Sequence, residues 1–284
     1  DRERVRPHLG LVSDRGVLRE EIPKEVPVHE LGSGRVRYAL LPIVRLCRSL
    51  RPDVVISTVG HLNLLLLMAG PLLPRSCRVM VREANTPSVR LEHTRFPRFY
   101  RCAYRMLYPL CERVICNCEF MKADLVEHFS LRPDRIMVIP NPVDEDRVQE
   151  EIRAGNNPYS GAEIQIVSVG RLNHQKGFDL LLRAFQRCHA RLPNTRLTLV
   201  GEGPEEGALR GLAQKCGISE VVNFAGQELN PFPYMAHADL FVLPSRWEGS
   251  PNAVLESLAC GTPVLAFDCP GGTSEIITEG RNGW

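Results

Sequence analysis

The chain has 284 residues, 44% apolar and 24% charged, which excludes a disordered, collagen-like or membrane-spanning polypeptide. Its 35 Lys and Arg stand against 33 Asp and Glu, so no global basic field points to nucleic acid. Ten Cys at uneven spacings, with no paired CxxC, read as buried small hydrophobes in a reducing cytosol.

The opening stretch is charged and does not begin with Met, and the end at Asn282-Gly283-Trp284 follows a helix-like segment. A fragment of a longer protein, incomplete at both ends, is the expectation. No leader pattern of positive charge followed by an apolar run opens it. The expected location is the cytoplasm, extending to the inner face of the membrane.

Short apolar, β-branched runs alternate with longer amphipathic ones, the pattern of parallel βαβ units. In the first half, strands are predicted over residues 53–57, 77–83, 113–117 and 135–139, and helices over 62–69, 97–107 and 120–129. In the second half, strands are predicted over 164–170, 196–201, 221–225, 240–244 and 263–267, and helices over 177–191, 205–216, 252–259 and 273–277. These strands are continuously apolar, so sheets covered on both faces are expected. The apolar run 62–73 is broken by Asn63, Gly70 and Pro71 and falls short of the roughly 20 residues that span a bilayer. It reads as a core helix.

On a helical projection Phe96, Phe99, Tyr100, Ala103, Tyr104 and Leu107 share one broad face. Arg95, Arg98, Arg101 and Arg105 spread over the other. That pattern describes a solvated basic face, or an edge that meets anionic lipid headgroups or a lipid diphosphate acceptor. Turn formers cluster at Asn141-Pro142-Val143-Asp144 and again from Gly155 to Gly161. They place a linker at 142–161, between a first domain of residues 1–141 and a second of residues 162–284.

Three loops carry chemistry. In Val169-Gly170-Arg171-Leu172-Asn173-His174-Gln175-Lys176-Gly177, a strand ends at Gly170 and a helix starts near Gly177. Glycine, a helix N-terminus and two cations suit a diphosphate cradle, although the glycine spacing fits neither a Walker loop nor a dinucleotide fingerprint. In Ser245-Arg246-Trp247-Glu248-Gly249-Ser250-Pro251-Asn252-Ala253-Val254-Leu255-Glu256, two carboxylates flank a helix start and could accept hydroxyls at two ends of one ligand. The third loop, from Asp268 through Gly271-Gly272 to Glu275, again joins a strand to a helix.

Together GRL…KG, PS…EG-SPNAVLE, ACGTPV and PGGTSEI resemble the retaining glycosyltransferases of family 4, most specifically from Gly170 to Gly283. The resemblance implies the GT-B architecture, two facing Rossmann-like α/β domains with parallel sheets, and makes NPVD at 141–144 the interdomain crossing. It implies that Arg171 and Lys176 hold the donor diphosphate. Glu248, the first Glu of an E-x7-E motif, would meet the transferred sugar, and Glu256 the ribose hydroxyls. Backbone of Ser250, Pro251, Asn252, Ala253, Val254 and Leu255, with Gly170, would line sugar and phosphates, and Gly271 and Gly272 would close over them.

No metal and no other cofactor is implied, the nucleotide sugar being a substrate. The family's glycine-rich loop near the start of the first domain is absent, and Ala84 stands where relatives carry a His. His61, Arg82, Glu83 and Asn85 are the candidates to replace it on the acceptor side. The expected reaction is transfer of a hexose or N-acetylhexosamine from a UDP-linked donor to a glycan or polyprenyl-linked saccharide. The alternatives are a non-catalytic nucleotide-sugar-binding homologue and a nucleotide-sugar epimerase.

Overall fold

In the computed structural model, residues 5–13, 19, 22–161 and 163–284 are described. Contacts divide the chain into two compact units, the first of residues 1–116 and 122–138, the second of residues 117–121 and 139–284.

The first unit opens with short paired strands β1 (Leu9–Leu11) and β2 (Val28–Glu30), followed by α1 (Leu40–Leu50). Strands β3 (Val54–Ser57) and β4 (Arg78–Arg82) are joined through α2 (Gly60–Ala69). After β4 come α3 (Pro87–Glu92), α4 (Pro97–Leu107), β5 (Arg113–Cys116), α5 (Glu119–Phe129) and β6 (Ile136–Val138). All four strands of the order β3-β4-β5-β6 are parallel. Three successive right-handed crossovers in one direction put their helices on one face. On that face Val81 and Val114 are fully buried, whereas Val54, Ile56 and Met137 on the other are 42%, 51% and 42% exposed. The expectation of a sheet covered on both faces therefore fails here among the described residues.

The second unit adds α6 (Glu145–Ala154), β7 (Ile164–Val169), α7 (Phe178–Arg191), β8 (Thr195–Val200), α8 (Glu206–Lys215) and β9 (Val222–Gly226). It continues with α9 (Phe232–Ala236), β10 (Leu240–Leu243), α10 (Asn252–Ala259), β11 (Val264–Ala266) and α11 (Thr273–Ile276). The parallel order is β11-β10-β7-β8-β9. One core, with Phe178, Leu182, Phe185, Leu197 and Leu199, fills one face, and a second, with Phe241, Leu243, Val254 and Val264, fills the other. Here both faces are covered, because the chain winds outward in two directions from β7.

The span 142–161 is not an irregular linker throughout. It contains α6, whose N-cap Asp144 accepts the Arg147 N–H at 3.0 Å, and it groups with the second unit. Of the ten Cys, all unbridged, Cys47, Cys111, Cys116, Cys118 and Cys269 are buried, but Cys102 is exposed.

Helix α4 also differs from its projection. Tyr104 is buried, while Phe96 and Phe99 are 59% and 69% exposed, on the solvent side with Arg95 and Arg98. The apolar sector is narrower than the sequence suggests, because Tyr104 and the following Tyr108 fix the helix rotation. Arg101 is half-buried, and Arg105 donates from Nε and Nη2 to the His128 carbonyl at 3.2 and 3.0 Å. Only Arg95 and Arg98 of the four arginines are thus exposed without a tie to the protein backbone.

Candidate active site

The second unit reverses direction between β7 and β10, and the crevice outside the carboxyl ends of such neighbouring strands is where open α/β sheets bind ligands. The loops that leave those two strands are the ones singled out in the sequence.

After β7, Asn173 Oδ1 accepts the Lys176 N–H at 3.2 Å and tightens residues His174–Lys176 into a 3-10 turn. Gly177 then takes φ 65°, and a Cβ there would overlap the Pro244 carbonyl oxygen at the end of β10. Only glycine permits this approach. The two loops are further stapled together. Arg246 N–H donates to Gln175 O at 2.8 Å, and Gln175 Nε2 donates to Trp247 O at 3.0 Å. The Arg246 guanidinium forks onto Asp179 at 2.8 and 2.7 Å and donates to His174 O at 2.9 Å. Those bonds from Arg246 hold the Asp179 carboxyl below the usual carboxylate range.

The outcome of this stapling is the position of Lys176. Its Nζ lies 2.6 Å from Glu248 Oε1, and the same oxygen accepts Ser245 Oγ at 2.6 Å. Glu248 is only 5% exposed, so the pair sits largely out of water. Its backbone is pinned by the third loop, since Glu248 N–H donates to Pro270 O at 2.9 Å. Gly271, at φ 142°, packs against the Glu248 carbonyl where a Cβ would not fit.

Glu256 lies in the second turn of α10 and is half-buried. Burial raises its carboxyl above the usual range, and the charge of Lys176 works against that rise. Lys176 therefore interacts with both carboxylates of the E-x7-E pair. No side chain caps α10, whose first N–H groups and positive dipole end suit an anion.

The structure thus brings together Lys176, Glu248 and Glu256, and a Cβ at Gly170 would meet the Lys176 stem at 3.5 Å. Arg171 is exposed and makes no ion pair with the described carboxylates. Val254 points its side chain into the core, so only its backbone can line the crevice. Ser250 is tied through its carbonyl to Asn141 Nδ2 at 3.4 Å, and Asn252 Oδ1 accepts from the same amide at 2.5 Å. Gly272 N–H donates to Gly249 O at 2.6 Å, which joins the second and third loops. Sequence reasoning missed Ser245 and the Arg246–Asp179 pair. The only available signal for Ser245 was its place three residues before Glu248.

In the first unit the acceptor-side candidates separate. His61 is exposed, its imidazole shifted down by partial burial and by Arg90. Arg82 and Asn85 are half-buried. Glu83, 2% exposed, is not presented to a ligand. Its Oε1 accepts from Tyr104 at 3.0 Å, from Asn63 at 3.1 Å and from Tyr108. It is a buried anchor, because a carboxylate out of water is held only where donors converge on it. Among the described residues no three His, Cys, Asp or Glu side chains gather as a metal-binding group.

Residues 2–147 match the family model described as Glycosyltransferase Family 4, and residues 148–284 the model described as Glycosyl transferases group 1. An uncharacterized glycosyltransferase of Methanocaldococcus jannaschii is 27% identical over 84% of this chain and 61% of its own length. N-acetylgalactosamine-N,N'-diacetylbacillosaminyl-diphospho-undecaprenol 4-alpha-N-acetylgalactosaminyltransferase of Campylobacter jejuni is 28% identical over 97% of this chain and 76% of its own. The chain thus spans less than two thirds of the archaeal relative. Among solved structures, Anabaena HepE in complex with UDP-glucose superposes with a TM-score of 0.77 at 20% identity, over 98% of this chain and 76% of that one. Between them the two family models account for residues 2–284, and the chain belongs to glycosyltransferase family 4, with the GT-B fold.

Proposed function

We propose that the protein is a retaining glycosyltransferase that moves a hexose or N-acetylhexosamine from a UDP-linked donor to a glycan or lipid-linked saccharide. The observation that carries this reading is Lys176, placed against Glu248 and within reach of the charge of Glu256 at the switch point of the second sheet. A diphosphate entering there meets one ammonium and the open end of α10. Support for the donor comes from Anabaena HepE, solved with UDP-glucose. Support for the acceptor class comes from the Campylobacter relative, whose name specifies a diphospho-undecaprenol substrate.

In the proposed step the bond between the sugar's anomeric carbon and the diphosphate oxygen breaks. The acceptor oxygen bonds to that carbon on the same face, and its proton passes to the departing diphosphate. Lys176 and the α10 N-terminus offset the charge that collects on the leaving group, and Arg171 of the exposed loop adds a second positive charge. Glu248 accepts hydroxyls of the sugar, and Glu256 those of the ribose. Backbone from Ser250 to Leu255 and the Gly271-Gly272 turn line the donor.

No metal enters this scheme. Transfer from a UDP-sugar by the full chain is expected to persist in excess EDTA, measured as UDP release. Strict dependence on a divalent ion, or turnover with no nucleotide sugar, would refute the reading.

Ribose binding by Glu256 needs its ionised form. Its raised pKa means that donor affinity falls, as pH drops, at a higher pH than an ordinary carboxylate near about 4.3 would give. Because Lys176 holds that value down, Lys176→Ala is expected to move the fall to still higher pH. Titration of UDP affinity against pH checks both statements, and an unshifted profile in the variant would disprove the coupling.

A further inference from the structure

One face of the second sheet changes character along its strands. Toward the carboxyl ends, Val167 and Val200 belong to the core over β7 and β8. Toward the amino ends the same face carries Gln165 and Arg196, paired across the two strands, and Thr198, paired with Asn223 of β9. These four side chains floor a cavity of about 420 Å³, walled by Tyr159 and Glu163 of the segment before β7. Small-molecule sites occupy roughly 300–1,000 Å³, so the volume suits a compact ligand. The donor crevice lies at the other end of the strands, and from Gln165 to Gly170 is roughly 16 Å at strand spacing.

The groups around this cavity are fixed before any ligand arrives. Arg196 Nε donates to Glu163 Oε1 at 3.2 Å, and its Nη1 to the Glu220 carbonyl at 2.9 Å. The Tyr159 hydroxyl donates to Tyr234 O at 2.7 Å, and the two rings meet edge-on with centroids 6.2 Å apart. With its hydroxyl engaged, Tyr159 offers the cavity its ring. Gln165 is 6% exposed, and its Nε2 donates to Glu163 O at 3.3 Å, while Oε1 accepts nothing from the described residues. A buried amide oxygen without a protein donor is costly unless a donor reaches it from the cavity. Thr198, 3% exposed, and the exposed Asn223 add a hydroxyl and a second amide.

Charge narrows the ligand. Glu163 and Glu220 stand beside the single guanidinium of Arg196, so the lining holds no excess positive charge for a phosphate. Carboxamides, a hydroxyl and the locked Arg–Glu pair supply both donors and acceptors, as the vicinal hydroxyls of a sugar ring require. A tyrosine face suits the apolar C–H side of the same ring. We propose that this cavity is a second saccharide site, taking a neutral mono- or disaccharide unit at the amino ends of β7, β8 and β9, apart from the donor crevice. In a family 4 glycosyltransferase it would tether a glycan while sugar is transferred elsewhere on the chain. The binding itself goes beyond the proposed function and does not rest on it.

Ligand-observed NMR titration of the full chain with maltose and with N,N′-diacetylchitobiose, in saturating UDP, tests it. At least one of the two disaccharides is expected to bind. Asn223→Ala and Gln165→Leu should each weaken that binding about tenfold, by loss of one hydrogen-bonding group. Asn223 is exposed, so its variant keeps the test valid even if Gln165→Leu fails to fold. Tyr159→Ser should weaken binding similarly, whereas Tyr159→Phe keeps the ring and should bind as wild type does. The proposal is overturned if neither disaccharide binds, if Asn223→Ala binds as tightly as wild type, or if inorganic phosphate displaces the sugar. UDP affinity, measured on the same samples, should be unchanged in every variant. Retained UDP binding with no disaccharide binding condemns the second site alone, and the converse condemns the proposed function alone.

Discussion

Glu248→Gln is expected to slow sugar transfer by about 10- to 100-fold while changing UDP affinity little, as read from kcat and from equilibrium titration. Glu248 is buried to 5% exposure, and its Oε1 is already held by Lys176 Nζ and Ser245 Oγ, each at 2.6 Å. In the proposed step its free acceptor capacity meets hydroxyls of a sugar ring that becomes electron-poor as the donor bond breaks. A charge-assisted hydrogen bond in such a site contributes about 1.5–3 kcal/mol, which the neutral amide forfeits mainly in the transition state. Glutamine keeps the shape and one acceptor oxygen, so ground-state binding should survive. Equal losses in kcat and UDP affinity would show that Glu248 only props up Lys176.

Glu83→Ala should cost the first unit about 3–5 kcal/mol of stability, measured by chemical denaturation, without altering UDP affinity in the second. The substitution strips Tyr104, Tyr108 and Asn63 of their shared acceptor and leaves Arg90 beside an uncompensated void. Glu83→Gln, which keeps an acceptor oxygen, should cost less. Burial raises the Glu83 carboxyl above the ordinary range, and Arg90 and the three donors oppose that rise. A raised folded-state pKa means that the contribution of this titration is complete below the unfolded pKa and is lost as pH rises through the folded value. Wild type should therefore lose stability relative to Glu83→Gln as pH climbs through that point. A loss below about 1 kcal/mol in Glu83→Ala would mean that the network is a bystander.

Much of this fold was legible because parallel strands buried in a sheet write themselves as short apolar runs. All nine strands read from the sequence form, each within two residues of its predicted ends. The elements that escaped have local reasons. Pro42 deters a helical reading of α1, yet it falls in the first turn, where its missing N–H costs nothing. Helix α6 hides in a charge run, and β1 and β2 are only three residues each. The uncovered face of the first sheet depends on strand order, which no run of residues encodes.

The candidate site divides in the same way. Lys176 and Glu248 are visible because they stand in polar loops after strands, and Glu256 because it follows Glu248 at a set spacing in the next helix. Ser245 and the Arg246–Asp179 fork are contacts between separate loops, so no spacing announces them. Phe96 and Phe99 share a projected face with Tyr104 yet stand exposed, because periodicity defines a sector but not its width. The buried tyrosine hydroxyls, not the hydrophobic pattern, set the rotation of α4.

In the proposed function Lys176, at the switch point of the second sheet, holds the diphosphate of a nucleotide sugar. Equilibrium titration of UDP into wild type and Lys176→Ala tests it most directly. A desolvated ammonium–phosphate contact contributes about 1.5–3 kcal/mol, so the variant should bind UDP about 10- to 100-fold more weakly. Unchanged UDP affinity in Lys176→Ala, with the variant folded, would contradict the account.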